Sequence, residues 1–336
     1  YADVLDVKGE PGNFRVSIRK QARFVDEALC NGCGICQEKC PRKTDSEFDK
    51  ALAQRKAIYF LYPQAVPNVP VIDKELCVYF QQGKCRACEK FCPIGAIDFR
   101  QTDQVIELKV GAIVACPGFN EFDPRLVPQY GYGNFPNVIT SIEFERILSA
   151  SGPYQGELLR PSDRQKAQKI AWIQCVGSRG IAPQNGYCSS ICCTYAIKEA
   201  IVAKEHNSSV EPTIFSIDIR TFGKGFEAYY DKAMTEYGVR FIRCRPSVIE
   251  EVAETKNLII KYETEDDKII KEEFDLVVLS VGLEPPKEAE KLANILGIEL
   301  NNYGFCQTDN FSPPGRSQIP VRPGSWQPPS RLFHHQ

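Results

Sequence analysis

The sequence predicts an α/β protein in which a parallel sheet of Rossmann type is joined to a small second sheet carrying an inserted cysteine-rich module. Three observations predict it. From Lys169 to Val281, strand-like and helix-like stretches alternate, as in a parallel α/β core. Between Ala28 and Phe99, eight of the fifteen cysteines fall into two groups that each end in Cys-Pro. Strand-like segments stand on both sides of that stretch, so the module interrupts a sheet between its strands.

The chain opens as a hairpin over residues 2–23. Val4, Leu5 and Val7 precede the turn Glu10-Pro11-Gly12-Asn13, and Phe14, Val16 and Ile18 alternate after it. The first cysteine group follows, Cys30-x2-Cys33-x2-Cys36-x3-Cys40-Pro41, in the spacing of a bacterial ferredoxin run. The second is Cys77-x7-Cys85-x2-Cys88-x3-Cys92-Pro93, whose last three cysteines keep the rhythm while Val78 to Lys84 put extra residues after the first. Two-residue steps wrap a short loop around a cluster, so that successive thiolates meet different irons while amide N–H groups face sulfur; Asn31, Gly32 and Gly34 suit such turns. In the cross-over arrangement one [4Fe–4S] cluster takes Cys30, Cys33, Cys36 and Cys92, and the other takes Cys77, Cys85, Cys88 and Cys40. Paired Cys-x2-Cys knuckles also bind zinc, but four cysteines in eleven residues closed by proline are denser than ordinary knuckles.

Within the insert, the stretch from Glu47 to Phe60 reads as a helix carrying Phe48, Leu52 and Ile58, and Tyr62 to Pro70, with three prolines, reads as extended. Strands resume at Val105 to Leu108 and Gly111 to Ala115, closing at Cys116-Pro117-Gly118. From Asn120 to Arg164 the chain is loop-rich around one helix, capped by Ser141 and carrying Ile142, Phe144, Ile147 and Leu148.

The alternating core then begins with a strand from Lys169 to Cys175, and a helix to about Glu205 capped by Ser189 or Ser190. A strand from Pro212 to Asp218, a helix from Gly225 to Tyr237 and a strand from Val239 to Cys244 follow. Shorter strands lie at Leu258 to Tyr262, Ile269 to Glu273 and Leu276 to Val281. This is the shape of a dinucleotide-binding domain. The phosphate loop is missing, however, because the first strand runs into Gln174-Cys175-Val176-Gly177-Ser178-Arg179 with one useful glycine. Asp218, the candidate ribose-binding acid, lies more than forty residues on, so NAD(P) is not expected to bind.

In that place stands Cys175-x12-Cys188-x3-Cys192-Cys193, the last two opening an amphipathic helix with Ala196, Ile197, Ala200 and Ile201 on one face. A helix N-terminus favours negative charge, so thiolates and an anionic cluster are stabilised there. On spacing alone, a third cubane, a zinc site and a set of buried thiols all remain open. Cys116, Cys244 and Cys306 stand alone and read as inert core positions; His206 reads as a surface residue, and His334 and His335 lie in an unusual tail.

Composition sets the outer bounds. With 336 residues, 43% hydrophobic and 25% charged, the chain can bury a core and hold two or three domains. A formal charge of −2 argues against nucleic acid as partner. The grouping of the cysteines argues for ligands rather than disulfides and hence for the cytoplasm. The apolar runs Ala112 to Cys116 and Leu276 to Val281 are too short to span a bilayer, so no membrane span is expected. A start at Tyr1 and a single methionine, Met234, read as a piece of a longer protein.

The stretches Gln174 to Arg179, Tyr187 to Lys198 (Tyr-Cys-Ser-Ser-Ile-Cys-Cys-Thr-Tyr-Ala-Ile-Lys) and Asp218 to Gly225, together with the insert and Gly118 to Ser151, resemble the A subunit of heterodisulfide reductase and its bacterial relatives. The resemblance runs from Tyr1 to about Ser312. It implies a thioredoxin-reductase-like flavoprotein core with a ferredoxin insertion, three [4Fe–4S] clusters and FAD, the third cluster held by Cys175, Cys188, Cys192 and Cys193. It further implies electron transfer through chains of clusters, in some members with flavin-based bifurcation. The partners it implies are other subunits of the complex, ferredoxin, and an electron-input component of hydrogenase or formate dehydrogenase type. The flavin fingerprint of the family lies before residue 1; Ala115, Cys116, Pro117 and Gly118 form a flavin-side segment of the complete protein.

The expected organisation is therefore a partial flavin-domain sheet at 1–27 and 97–122, the insert at 28–96, a connecting region at 123–168, a Rossmann-like domain at 169–286, the start of a return to the flavin domain at 287–312, and a proline-rich tail at 313–336, read as a truncated or frame-shifted end with a genuine short tail as the alternative. Rival readings are an NAD(P)H-dependent flavoprotein reductase with a ferredoxin insert and a non-enzymatic zinc-stabilised interaction module.

Overall fold

The computed structural model describes residues 1–180 and 185–307. The expected proline-rich tail, with His334 and His335, lies outside the described residues. Two compact units divide the chain, one built from Tyr1–Gly118 with residues from Pro286 onward and the other from Phe119–Pro285.

In the first unit, β1 (Ala2–Glu10) and β2 (Asn13–Lys20) form the antiparallel hairpin, Glu10 facing Asn13 across the Pro11-Gly12 turn. The inserted module follows with α1 (Ile35–Lys39), β3 (Lys43–Asp45), β4 (Gln54–Lys56), β5 (Ile58–Tyr59), β6 (Val71–Ile72), α2 (Val78–Gln82) and α3 (Ala87–Lys90). Only after it does β7 (Gln104–Val110) complete the sheet by pairing antiparallel with β2 from Lys20↔Gln104 to Phe14↔Val110. The module leaves and rejoins the sheet side by side, through the antiparallel bridge Val25↔Ile97 and the bonds Asp26 N–H to Ala96 O (2.7 Å) and Asp98 N–H to Phe24 O (3.0 Å). Its apolar core collects Phe24, Val25, Ile58, Val69, Ile72, Ile97 and Phe99 beneath the cysteines. Phe24 and Phe80 pack at 4.6 Å, and Tyr79 and Phe99 at 4.1 Å.

The expected helix from Glu47 to Phe60 does not form. Ser46 Oγ accepts from Asp49 N–H, Lys50 and Ala51 take positive φ (52° and 63°), and the chain doubles back so that β3 and β4 pair from Asp45↔Gln54 to Lys43↔Lys56. Its three apolar residues part company, Ile58 into the core and Phe48 onto an exposed stack with Tyr62. Tertiary pairing overrides a weak local preference here. The expected strand from Gly111 to Ala115 is also absent: β7 ends at Val110 and residues 111–118 run on largely exposed, with Val114 at 85% exposure. Cys116 is accordingly exposed rather than a core position, while Cys244 and Cys306 are half-buried.

In the second unit, β8 (Asn120–Glu121), β9 (Val138–Thr140), α4 (Ser141–Leu148), β10 (Lys169–Val176), α5 (Cys192–His206), β11 (Glu211–Ser216), α6 (Phe226–Thr235), β12 (Arg240–Arg243), β13 (Val248–Glu251), β14 (Leu258–Glu263), β15 (Ile269–Phe274), β16 (Leu276–Val281) and β17 (Leu283–Glu284) follow in order. Five of them make a parallel sheet in the order β12-β11-β10-β16-β9, the Rossmann-type arrangement expected for this stretch. The edge strand β9 was not foreseen. β13, β14 and β15 form an antiparallel three-stranded sheet whose Ile249, Leu258, Ile260, Tyr262 and Phe274 join the core under β10 and β16.

The helix caps differ from expectation. Thr140 caps α4, its Oγ1 accepting from Glu143 N–H while Glu143 Oε2 accepts from Thr140 N–H at 2.6 Å, because the helix starts directly from the strand end and Ser141 is already in its first turn. Ser189 and Ser190 do not cap α5. Ser189 Oγ accepts from Leu283 N–H at 2.9 Å and Ser190 sits at φ 64°, leaving Ile191 at the cap and Cys192 as the first helical residue.

α5 presses its apolar face on the sheet and buries one carboxyl completely. Glu199 is fully shielded from solvent, with Oε2 accepting from Trp172 Nε1 at 2.8 Å and Oε1 without a partner. Burial first, then neighbouring Glu145, hold its pKa well above the usual carboxylate range, opposed by Trp172 and Lys198. The folded chain therefore keeps a proton that the unfolded chain releases. The stability this permits is fully present below the unfolded value of 4.5 and is lost as pH rises toward the folded value. Glu199→Gln has no such proton to lose. Denaturant titrations should find the variant more stable than the native chain at pH 8 by on the order of 1 kcal/mol, the gap closing toward pH ~4.5. A difference that does not change with pH contradicts this account.

Candidate iron–sulfur sites

In the first unit the cysteines gather around two cavities. One, of about 330 Å³ counted to its open mouth, is lined by Cys30, Cys33, Cys36 and Cys92 with Gly32, Gly34 and Ile94 among its other walls. The second, about 340 Å³, is lined by Cys40, Cys77, Cys85 and Cys88 with Ile58 and Ile72. Each cavity thus mixes the two sequence groups in the manner that cross-over ligation requires. Helical geometry makes the exchange: Cys36 lies inside α1 and Cys40 caps its end, while Cys88 lies inside α3 and Cys92 follows its end. A four-residue step carries the chain about 6 Å along a helix axis, enough to move from one cavity to the next.

The surroundings of the thiols suit anionic sulfur. Gly32 N–H donates to Cys30 Sγ at 3.4 Å and Ala96 N–H to Cys92 Sγ at 3.3 Å. The amides of Gln37 and Glu89 do the same for Cys36 and Cys88. Without a ligand, burial and then neighbouring thiols push Cys36 up to about 11 and Cys88 up to about 12, so an electropositive partner is needed to hold either as thiolate. Among the described residues, no three Cys, His, Asp or Glu side chains converge closely enough to share a single metal ion.

The third group sits in the second unit, at the end of β10. That strand is flanked by β11 on one side and β16 on the other, so its C-terminal end is the point where strand order reverses and where open α/β sheets bind ligands. At Cys175 the β10–β16 register slips and the residue takes φ 60°, a bulge that re-aims the thiol. Gly177 follows at φ 77°, where a Cβ would lie 2.1 Å from the Phe122 ring. Cys192 and Cys193 open α5, and both are buried, as is Cys175. Cys188 lies in the adjoining loop, its Sγ accepting from Ser190 N–H at 3.4 Å.

Charge completes this site. Hydrogen bonds from Cys192 and Arg179, with Arg179 and Arg245 nearby, bring Cys175 down to about 6 despite burial. Cys193 is also lowered, by Cys192 and by the amide of Arg220. Ser178 Oγ and Arg245 Nε are buried without hydrogen-bond partners in the same region. Asp218, the acid considered for a ribose, is instead paired with Arg179 and, at 3.4 Å, with Arg220. Buried thiols, a thiolate-favouring charge and unpartnered donors make a set that suits an anionic cluster better than a neutral core. Sequence reasoning did not single out Arg179, Arg220 or Arg245; the only available signal was an arginine at the end of the Cys175 loop. The segment Ala115, Cys116, Pro117 and Gly118 is exposed, with Gly118 at φ 74°.

Comparison with known proteins adds names to these positions. A model of the 4Fe-4S binding domain matches residues 23–44, which hold the first cysteine group. The chain is 48% identical over 306 residues to the iron-sulfur A subunit of CoB–CoM heterodisulfide reductase from Methanocaldococcus jannaschii, covering 91% of this chain and 46% of that one. It is 41% identical over 308 residues to the A subunit of the H2:CoB–CoM heterodisulfide,ferredoxin reductase from Methanothermobacter thermautotrophicus, again covering 91% and 46%. The chain thus spans about half the length of the curated relatives it matches. Among solved structures, the flavoprotein disulfide reductase RclA of Escherichia coli aligns over 61% of this chain and 37% of its own at 13% identity and a TM-score of 0.34.

The loop around the first cavity supplies a direct test of its packing. At Gly32, φ is 73°, and an added Cβ would lie 2.6 Å from Asn68 Nδ2 and 2.8 Å from Asn68 O. Gly32→Ala should therefore cost about 1–3 kcal/mol, read as a lowered denaturation midpoint; an unchanged midpoint means that the loop is not held as described.

Proposed function

Over nine tenths of its length the chain belongs to the family of heterodisulfide reductase A subunits, and from that premise we propose that it is the electron-transfer part of a heterodisulfide-reductase-like complex. In this reading it relays electrons between FAD, three [4Fe–4S] clusters and partner subunits. The observation that carries it is the sorting of eight thiols around two cavities, four to each, with neither set contiguous in sequence.

Cys30, Cys33, Cys36 and Cys92 would hold one cluster, Cys40, Cys77, Cys85 and Cys88 the second, and Cys175, Cys188, Cys192 and Cys193 the third. Bound clusters supply one-electron transfer, and a bound flavin supplies exchange between electron pairs and single electrons. The chain's own part is placement and tuning. Backbone amides of Gly32, Gln37, Glu89 and Ala96 point at sulfur and stabilise added negative charge, while the core of Phe24, Ile58, Ile72 and Ile97 keeps water from the inner thiols. FAD belongs to the complete protein, where Ala115 to Gly118 would face it. The partners are other subunits of the complex, ferredoxin, and an electron-input component of hydrogenase or formate dehydrogenase type; the compartment is the cytoplasm. Among the described residues no helix is long and apolar enough to cross a membrane.

Anaerobically purified protein should contain about four irons and four sulfides for each of the three clusters. Stoichiometric zinc without iron sinks the reading. Replacing Cys188 by Ala should remove one cluster's worth of iron and leave two.

The cross-over has its own readout. A Cys36→Ala/Cys92→Ala pair should lose one cluster, whereas Cys36→Ala/Cys88→Ala should lose two. Equal losses would show that each cavity draws on a single sequence group.

A further inference from the structure

Where β16 passes into β17, the backbone of Val281, Gly282 and Leu283 collects bonds from each segment that carries a cysteine of the third group. Val281 O accepts at 3.3 Å from the hydroxyl of Tyr195, which lies in the same helix as Cys192 and Cys193. Gly282 N–H donates at 2.7 Å to Val176 O, next to Cys175. Leu283 is engaged twice: its N–H donates to Ser189 Oγ at 2.9 Å, and its carbonyl accepts from the Tyr187 hydroxyl at 2.7 Å. Tyr187 and Ser189 stand on either side of Cys188. The loop that carries this thiol is thus tied at both flanks to the backbone of one residue.

The pairing of the strands accounts for the availability of Leu283. It faces Glu121 across β17 and β8, and the neighbouring bond from Phe122 N–H to Gly282 O (2.8 Å) leaves the polar groups of Leu283 directed away from β8, toward the Cys188 loop. Of the four thiols, that of Cys188 is the one carried by neither helix nor strand, so it has most conformational freedom to lose when a ligand is bound. Ser190 then turns at φ 64°, its N–H donating to Cys188 Sγ and its Oγ to Cys188 O, both at 3.4 Å. The strand end is packed closely on the Cys175 loop as well, since a Cβ added at Gly282 would lie 3.2 Å from Gly177 O and 3.3 Å from Ser178 Cβ.

We propose that the backbone of Val281–Leu283 is the template that sets the spacing of the third group, and that Tyr187 and Ser189 are positioning residues that hold Cys188 in place to ligate. The inference rests on the reading of Cys175, Cys188, Cys192 and Cys193 as a cluster site. Neither hydroxyl is a ligand; each acts through Leu283. Removing both leaves the four cysteines intact and frees the loop between them.

The test follows iron release from the anaerobically purified, cluster-loaded protein to an excess of the ferrous chelator bathophenanthroline disulfonate, with electron paramagnetic resonance of the reduced protein alongside. The phase and the signal of the third cluster are those missing in Cys188→Ala. The Tyr187→Phe/Ser189→Ala pair should release that phase about tenfold faster, as expected for two lost hydrogen bonds, and alter the shape of that signal, while the other two clusters keep native rates and signals. Tyr187→Phe and Ser189→Ala alone should each give a smaller acceleration, so the proposal is still read if the double variant loads no third cluster. Ser189→Thr, which keeps the hydroxyl, should behave as the native protein. A native third phase and signal in the double variant overturn the proposal. So does an equal acceleration of all three phases, which assigns the hydroxyls to general stability. A native protein with only two phases overturns the cluster reading itself, an outcome visible before either hydroxyl is removed.

Discussion

Cys36 and Cys40 are separated by one turn of helix, and that turn carries the two thiols to different cavities. Cys88 and Cys92 repeat the geometry from the other side, with α1 and α3 packed against one another. Neither cavity can then be built by a continuous loop. Each needs a cysteine delivered by the opposite group, so both depend on the shared core of Phe24, Ile58, Val69, Ile72 and Ile97 that holds the groups in register. Packing and thiol placement are coupled in this module, because a side chain removed from the core moves the walls of both cavities.

The second unit places its thiols by another device. A parallel sheet offers a crevice at the end of β10, where strand order reverses, and the chain fills that crevice with a bulged cysteine and the first turn of α5. The glycines that admit a pyrophosphate elsewhere are replaced by Cys175 and its loop, and Asp218 is paired with Arg179. The site is thus made from standard parts of a nucleotide fold, reassigned by a few side chains.

The cysteine groups were legible because ligand spacing is a local property, and the parallel core because strand and helix periods differ. The hairpin and its interruption were legible for the same reason: turn residues and alternation survive at any distance from their partner strand. What was lost depended on tertiary choice. From Glu47 to Phe60 the apolar spacing imitates a helix, but Ile58 goes inward while Phe48 stays at the surface, and only the pairing of β3 with β4 decides that. Gly111 to Ala115 has strand composition yet, among the described residues, joins no strand ladder beyond the single bond from Gly12 N–H to Gly111 O. Ser189 and Ser190 look like caps but are drawn into other bonds that the sequence does not announce, whereas Ser141 gives way to Thr140, whose Thr-x-x-Glu pattern with Glu143 was a readable signal. The pairing of Arg179 escaped notice because its partner, Asp218, lies thirty-nine residues away in the chain.

The bridge between Val25 and Ile97 has a consequence for the history of the chain. An insertion whose two ends emerge side by side imposes almost no strain on its host, since the gap it opens is no wider than the gap between neighbouring strands. The host hairpin and β7 can pair whether a short turn or a seventy-residue cassette spans that gap, to within a modest loop-closure entropy. Such a junction makes the cysteine-rich cassette portable: it can be gained, lost or exchanged as a single unit without redesigning the sheet that receives it.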